Sequence, residues 1–279
     1  MNRKWIKKIM SVILLWGLLI GTGLSGCSLL SGKEQSFNDA ADSNLGQWGR
    51  ALSAVLMQRN KMNPYYFGGL EESVKAAEVT KEMLENGWNI KSREDLLYQI
   101  STELYQGDRF DYQTDLEFLN GLSEEQIEAC KEMVEGNTEV FLTETLKNKE
   151  KWGDKGILAW DMSKLSVLAQ WGYRAGYISR EEAHALIEPA AELIKEQFIS
   201  WEEVWQNYLD SYAWWCAKMD LEKDEEEYAK RLAVYENLKT AENVENPLFD
   251  NNLFVSKILP VEGISYEDLL TDYQPKQDE

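Results

Sequence analysis

The chain has 279 residues, 44% of them hydrophobic, and its 49 acidic residues outnumber 29 basic ones for a net charge of −20. This length and composition suit one large domain whose core needs neither disulfides nor a metal ion. An acidic surface repels phosphate backbones and anionic lipid headgroups, which argues against nucleic-acid binding and against membrane binding through a basic patch.

The first 26 residues have the pattern of a secretory signal peptide. A basic start without acids precedes an apolar run, 9–20, that is too short to span a bilayer. The sequence Leu24-Ser25-Gly26-Cys27 resembles the bacterial lipobox, which implies cleavage before Cys27 and diacylglycerol on its thiol. We therefore expect a lipid-anchored domain on the extracytoplasmic side of the cell membrane, with residues 27–44 as the lipidated cysteine and a flexible tether.

From Leu45 to residue 260, apolar residues recur with the helical period and alternating strand patterns are nearly absent. This predicts an all-α fold, a single domain of eight or nine helices. Four serines are followed three residues later by Asp, Glu or Gln, as in capping boxes: Ser92, Ser123, Ser179 and Ser200. They predict helices near 93–105, 124–135, 180–198 and 201–219. Further helices are predicted near 48–61, 70–85, 138–148, 156–172 and 224–239.

Proline and the end of the chain modify this pattern. Pro189 lies inside the predicted helix 180–198, where it lacks a donor and crowds the carbonyl of Ala185, so we expect a kink or a break. No sustained period follows Glu242. The irregular C-terminal tail is expected to wrap the domain and to finish as an acidic tail over 261–279, with a disordered end. The side chains expected to hold it are Leu253, Phe254, Ile258 and Leu259.

The segment 156–171 is apolar on almost every side, which predicts a central helix. Asp161 is then expected in or near the core, where an unpaired carboxylate is costly. The nearest cations in the sequence are Lys164, one turn on, and Arg174, just beyond the helix. A structural ion pair with capping contacts is the interpretation we favour. A ligand-facing carboxylate and a catalytic one stay open.

Several short motifs resemble a known family: GILAWD at 156–161, GYRAGYIS at 172–179, IEPAA at 187–191, and the pairs at 182–183, 200–201 and 207–208. Together they are similar to the core signature of the bacterial domain of unknown function 1266, specifically over about 150–216 and more weakly from Trp48 to Ile90. The family often has Arg at the position of Lys164. The resemblance implies a helical fold and no particular activity. It marks seven positions as a polar cluster with a ligand-binding or a structural role: Asp161, Arg174, Tyr177, Glu182, Trp201, Asn207 and Tyr208.

Aromatic residues and cysteines give further expectations. A stripe with spacings of three and four is predicted to be buried: Trp201, Trp205, Tyr208, Tyr212 and Trp215. Trp214 lies off this stripe and is the candidate for an exposed platform in a carbohydrate or peptide groove. Cys130 and Cys216 are expected to be small buried hydrophobes in preference to a disulfide.

Standard catalytic patterns are missing from the sequence. With His184 as the one histidine and no phosphate-binding glycine loop or EF-hand loop, we expect no metal and no cofactor. The acidic run 220–227 is typical of a solvated helix start. We expect a binding or protein-interaction module of the cell envelope, with an envelope protein as possible partner. The alternatives are a small-molecule binder around Asp161, Arg174 and Tyr177, and a carboxylate-dependent hydrolase using Asp161 or Glu182.

Overall fold

A computed structural model describes residues 43–133, 137–219, 225–241 and 247–275. The predicted signal peptide, Cys27 and most of the tether lie outside these ranges, as do residues 220–224 of the acidic run and the last four residues. The described residues form helices and no strand, which confirms the all-α class. None of the helices in these ranges is both long and apolar enough to cross a membrane.

Ten helices in the described ranges have ten or more residues, slightly more than the eight or nine expected. They are α1 Asn44–Arg59, α2 Val74–Trp88, α3 Arg93–Tyr105, α4 Gly107–Asn120, α5 Glu124–Met133, α6 Asn137–Trp152, α7 Leu158–Ala175, α8 Arg180–Gln197, α9 Trp201–Lys218 and α10 Glu225–Lys239. Two five-residue helices follow, α11 Asn251–Val255 and α12 Tyr266–Leu270, and 3₁₀ turns cover Gly153–Lys155 and Thr271–Tyr273. The addition to the predicted set is α4.

The predicted serine caps begin helices where expected. The backbone N–H three residues on donates to the side chain of each serine: Ser92, Ser123, Ser179 and Ser200. At Ser179 the box is complete, because Glu182 also accepts from the Ser179 N–H at 2.7 Å. At Ser200 the return contact is displaced by one residue, since the Glu203 carboxylate accepts from the Ile199 N–H at 2.8 Å.

Helix α7 is the centre of the fold, as predicted. It packs against α1, α2, α3, α8 and α9, and all its residues except Tyr173 are buried. Gly172 makes the approach of α3 possible, because a Cβ at this position would lie 2.2 Å from Leu96 Cδ2. A polar residue on α7 is therefore enclosed whichever way it points.

Two backbone predictions need correction. Helix α8 continues from Arg180 through Pro189 to Gln197, so the predicted break is wrong; the kink stays a prediction. The tail is more ordered than expected over its described part, because α12 packs against α8 and buries Leu270 completely. Leu253, Phe254 and Ile258 are buried as predicted, whereas Leu259 is exposed.

The aromatic stripe of α9 is buried, as predicted. Trp214 is buried too, so its assignment as an exposed platform is wrong: its ring meets Tyr112 edge-on at 5.3 Å and its indole N–H donates to Thr145 Oγ1 at 3.1 Å. Neither cysteine within the described ranges forms a disulfide. Cys216 is buried as expected, and Cys130 is half-buried.

Candidate functional site

The carboxylate of Asp161 caps another helix from within the core. Its Oδ1 accepts from the backbone N–H of Asp108 at 3.0 Å, and its Oδ2 accepts from that of Arg109 at 3.0 Å. These two amides belong to the first turn of α4, whose own N-cap residue, Gln106, makes no side-chain capping bond. Asp161 therefore satisfies backbone donors that the local sequence leaves without an acceptor.

The turn between α3 and α4 is shaped around this contact. Gly107 has φ of +60°, and a Cβ on it would lie 2.1 Å from Asp161 Oδ2, so glycine is required both by conformation and by space. The guanidinium of Arg109 donates to Asp161 Oδ2 at 3.0 Å and to the Glu103 carbonyl at 2.8 Å. It also donates to the Leu104 carbonyl. One arginine thus joins the carbonyl end of α3 to the carboxylate that caps α4.

Lys164 lies among three carboxylates. Its Nζ is 2.7 Å from Glu103 Oε2, 2.8 Å from Asp108 Oδ2 and 3.1 Å from Asp161 Oδ1. The indole N–H of Trp160 donates to the same Asp108 oxygen at 2.8 Å. We call Glu103, Asp108, Arg109, Asp161 and Lys164 the charged cluster. Its three carboxylates face two cations, so it carries one excess negative charge when every group is ionised.

The pKa values of the two carboxyl groups Glu103 and Asp108 are shifted in opposite directions within the cluster. Burial raises the pKa of Glu103 to about 7, although Lys164 opposes the shift. For Asp108, burial acts in the same direction but is outweighed by Lys164, so its pKa is lowered. The surrounding carboxylates raise the pKa of Lys164 despite its burial. The cluster can therefore take up or release one proton near neutral pH, at Glu103.

This titration gives a testable stability profile. The folded chain keeps the Glu103 proton up to about pH 7, whereas an unfolded Glu releases it near pH 4.5. Between these values the folded state binds more protons, so this group's contribution to the unfolding free energy falls by about 3 kcal/mol as the pH rises. We expect Glu103→Gln, which resembles the protonated form, to match wild type at pH 5 and to be more stable at pH 8, as measured by urea unfolding.

The exposed Glu117 offers the control for this profile. Glu117 lies on α4, the helix that follows the one carrying Glu103. Glu117→Gln is therefore expected to leave the wild-type pH dependence of unfolding unchanged. Equal stability of Glu103→Gln and wild type at pH 8 would contradict the assignment of the titrating proton to Glu103.

Asn207 acts on α7 as Asp161 acts on α4. Its Oδ1 accepts from the Ala159 N–H at 3.0 Å, and its Nδ2 donates to the Gly156 carbonyl at 2.8 Å. The N-cap residue of α7, Ile157, has no side chain that could make this bond. Asp161 and Asn207 therefore each cap the N-terminus of a helix that begins far from them in the sequence.

Glu182 and Tyr177 meet at Arg93 on α3. The guanidinium holds the Glu182 carboxylate through two bonds of 2.6 and 3.1 Å, and it also contacts the Tyr177 carbonyl at 3.4 Å. Arg93 lowers the pKa of Glu182, which is therefore ionised at neutral pH. Lys81 lies 5.7 Å from the Tyr177 ring centroid. This group connects the α7–α8 turn to the start of α3.

Tyr208 and Trp201 lie elsewhere in the core. The Tyr208 hydroxyl accepts from Arg231 of α10 at 2.6 Å, and that guanidinium lies 3.9 Å from the Tyr212 ring centroid. The Trp201 ring lies 4.9 Å from that of Trp48 and its indole N–H donates to the Asp250 carbonyl at 3.0 Å. These contacts attach α10 and the tail to α9.

Arg174 does not pair with Asp161, although both lie on α7. Thirteen residues of helix separate them by about 20 Å. The Arg174 guanidinium donates to the Phe67 carbonyl at 2.6 Å and lies 3.7 Å from a Glu72 oxygen. The seven predicted positions are thus distributed over several polar contacts, and Asp161, Arg174 and Tyr177 do not meet in one pocket.

Most of the charged partners were not predicted from the sequence: Arg93, Glu103, Asp108, Arg109 and Arg231. One of them had a visible signal. Glu103 follows Leu96 by seven residues and Ile100 by three, so it lies on the apolar stripe of α3. An acid on a buried stripe indicates a partner, and Lys164 is that partner.

The fold and its polar contacts define a class: an all-helical domain in which motif side chains hold the ends of neighbouring helices. The chain belongs to the family described as protein of unknown function (DUF1266), whose model matches residues 83–249, more than half of its length. The match includes the predicted core 150–216 and all seven motif positions, whereas the weaker resemblance before residue 83 lies outside it. No curated protein and no solved structure gives a significant match.

Proposed function

We propose that the chain is a bacterial envelope lipoprotein, attached to the membrane through Cys27, and that its helical domain is a protein-interaction module. The attachment is supported by the order of a basic start, a short apolar run and a lipobox-like end in the sequence. A single acyl-bearing residue before a polar tether would hold an acidic domain at a membrane that its own charge does not attract.

The interaction role rests on how the motif side chains are used. Asp161, Asn207, Glu182 and Tyr208 each direct polar atoms at backbone or side-chain partners within the domain. Side chains engaged in this way stabilise the domain. A partner would therefore be recognised by other residues, on the surface of the domain. This arrangement also weakens the hydrolase alternative, because its two candidate acids, Asp161 and Glu182, are both held by arginines.

The surface of α4 offers a recognition face. Phe110 and Phe118 are 60% and 68% exposed, and Thr114 lies between them at the i+4 spacing that makes one row. Two exposed acids, Asp111 and Glu117, accompany the row. We call Phe110, Asp111, Thr114, Glu117 and Phe118 the α4 face. Exposed aromatic rings beside carboxylates are suited to a partner that presents apolar side chains together with basic ones.

The test is photocrosslinking in intact cells of the source bacterium. The full-length chain carries p-benzoylphenylalanine at Thr114, within the α4 face, or at Val74, which is 78% exposed at the start of α2 and serves as the matched control. We expect Thr114 to give an adduct with one defined envelope protein and Val74 to give none. Adducts at both positions, or at neither, would contradict the proposal.

A second variant separates recognition from folding. Phe110→Ser together with Phe118→Ser changes only exposed side chains, so its melting temperature is expected to stay within a few degrees of wild type. The adduct at Thr114 should nevertheless be lost. Retention of the adduct in this variant would exclude the α4 face as the recognition surface.

The attachment has its own test. Mass spectrometry of the wild-type protein is expected to show a chain that begins at Cys27 and carries acyl groups, and Cys27→Ala is expected to lack the lipid and to leave the detergent phase. The attachment would be refuted by a Cys27→Ala protein that has the wild-type processed mass and remains membrane-bound.

A further inference from the structure

A small apolar surface lies where the segment from Cys27 enters the domain. Val255 is 75% exposed and Leu259 57% exposed, with the exposed Lys257 between them, whereas Ile258 points into the core. We call Val255, Lys257 and Leu259 the tether-side patch. Val255 is the last residue of α11, and Lys257 and Leu259 are alternate residues of the extended stretch that follows it, with Ile258 between them facing the core.

The first helical residue of the domain holds this patch in place. The Asn44 side chain donates to Ser256 Oγ at 3.4 Å and accepts from the Leu259 N–H at 3.1 Å. Ser43, which precedes it, caps α1 and contacts His184 Nδ1 at 2.9 Å. The chain that leads back to Cys27 therefore leaves the domain beside the patch.

The length of that chain limits how far the patch can lie from the membrane. Fifteen residues separate Cys27 from Ser43. They reach about 55 Å when fully extended and about 22 Å as a flexible coil on average. With Cys27 in the lipid, the end of the domain that bears the patch is the end kept nearest to the bilayer.

The charge of the segment is compatible with such contact. No acid occurs between Asp250 and Glu262, although the chain has 49 acids, and the segment between them carries Lys257 as its one charged residue. A second cation lies beside it, since Lys195 Nζ contacts the Val255 and Ser256 carbonyls. The stem of the exposed Lys257 can lie along the apolar boundary while its ammonium group stays among the headgroups.

We infer that the tether-side patch contacts the lipid bilayer, with Val255 and Leu259 at the boundary between headgroups and acyl chains. This inference rests on the proposed attachment through Cys27. Two apolar side chains would bind a membrane weakly by themselves. Acylation makes the contact intramolecular, however, and the high effective concentration of lipid then favours it. The contact orients the domain with its tether-side end at the bilayer surface.

The experiment places p-benzoylphenylalanine at Val255 or Leu259 in the full-length chain, expressed in the source bacterium, with Val74 again as the exposed control. After irradiation and proteolysis, the peptide that contains the probe is weighed. We expect the peptides from positions 255 and 259 to gain the mass of a phospholipid, at a yield several-fold above that at Val74. The Cys27→Ala variant should lose these adducts while keeping its melting temperature.

Each outcome decides between the two proposals. If an acylated protein gives no lipid adduct at 255 and 259, the patch does not contact the bilayer, and the attachment through Cys27 stands. If these positions give protein adducts, the patch is a protein interface and the proposed lipid contact is wrong. An unacylated chain refutes the attachment, and lipid adducts in that chain would show that the patch binds lipid unaided. Val255→Asp with Leu259→Asp, probed at Lys257, is expected to reduce the lipid adduct several-fold without unfolding the domain.

Discussion

Replacing Asp161 by alanine is expected to lower the free energy of unfolding by about 3–5 kcal/mol, as for other buried ion pairs that lose one partner. The substitution removes the acceptor from the backbone N–H groups of Asp108 and Arg109 and leaves the Arg109 guanidinium without its carboxylate. It also opens a gap beside Gly107, whose backbone approaches that carboxylate closely. Urea unfolding at pH 7, followed by circular dichroism, measures the loss.

Two further variants make this result specific. Asp111→Ala lies on the exposed side of the same helix and is expected to change the unfolding free energy by less than about 1 kcal/mol. Asp161→Asn keeps the shape of the side chain and removes its charge. We expect its loss of unfolding free energy to lie between those of Asp111→Ala and Asp161→Ala. A full melting temperature for Asp161→Asn, combined with loss of the photoadduct at Thr114, would instead support the ligand-facing interpretation of this carboxylate.

The position of Asp161 in the core could be predicted because it depends on a local pattern. The helix that carries it is apolar on nearly all sides, and such a helix must be surrounded by other elements. The same reasoning identified the serine caps, since a capping bond joins residues three apart and is visible in a short stretch of sequence.

Helix α4 could not be recognised in this way. Its buried residues, Tyr112, Leu116 and Leu119, have helical spacing, but the exposed Phe110 and Phe118 conceal that stripe among other aromatic and apolar residues. Its N-terminus has no local capping side chain, because the cap comes from Asp161 on another helix. The start signal of α4 is thus a tertiary contact.

The same reason explains the errors at Trp214 and Leu259. Trp214 lies off the stripe of α9, and no local pattern indicates that α4 and α6 cover it with Tyr112 and Phe141. Leu259 follows the buried Ile258 in an extended segment, so one of the two had to face outward. Which face of an element is covered depends on its neighbours, whereas its periodicity depends only on itself.

Replacing Lys164 by methionine is expected to destabilise the domain by about 3–5 kcal/mol at pH 8 and to make its stability depend more strongly on pH than that of wild type. Methionine fills much of the volume of lysine, so packing is largely kept. The carboxylates of Glu103, Asp108 and Asp161 then lose the cation that all three contact. Arg109 remains paired with Asp161, and Lys218 still acts on Asp108. Their mutual repulsion and burial favour the protonated forms.

The direction of the pH effect follows from proton binding. Without Lys164, the folded-state pKa of Glu103 rises further above its value in the unfolded chain, and that of Asp108 rises from below its unfolded value towards it. The folded state therefore binds more protons than it does in wild type. Stability should therefore recover as the pH is lowered from 8 to about 5, by more than it does in wild type, when urea unfolding is repeated across this range.

Lys164→Arg, which keeps the positive charge, is expected to retain most of the wild-type stability at pH 8. A Lys164→Met protein as stable as wild type at that pH would mean that the three carboxylates do not depend on this ammonium group.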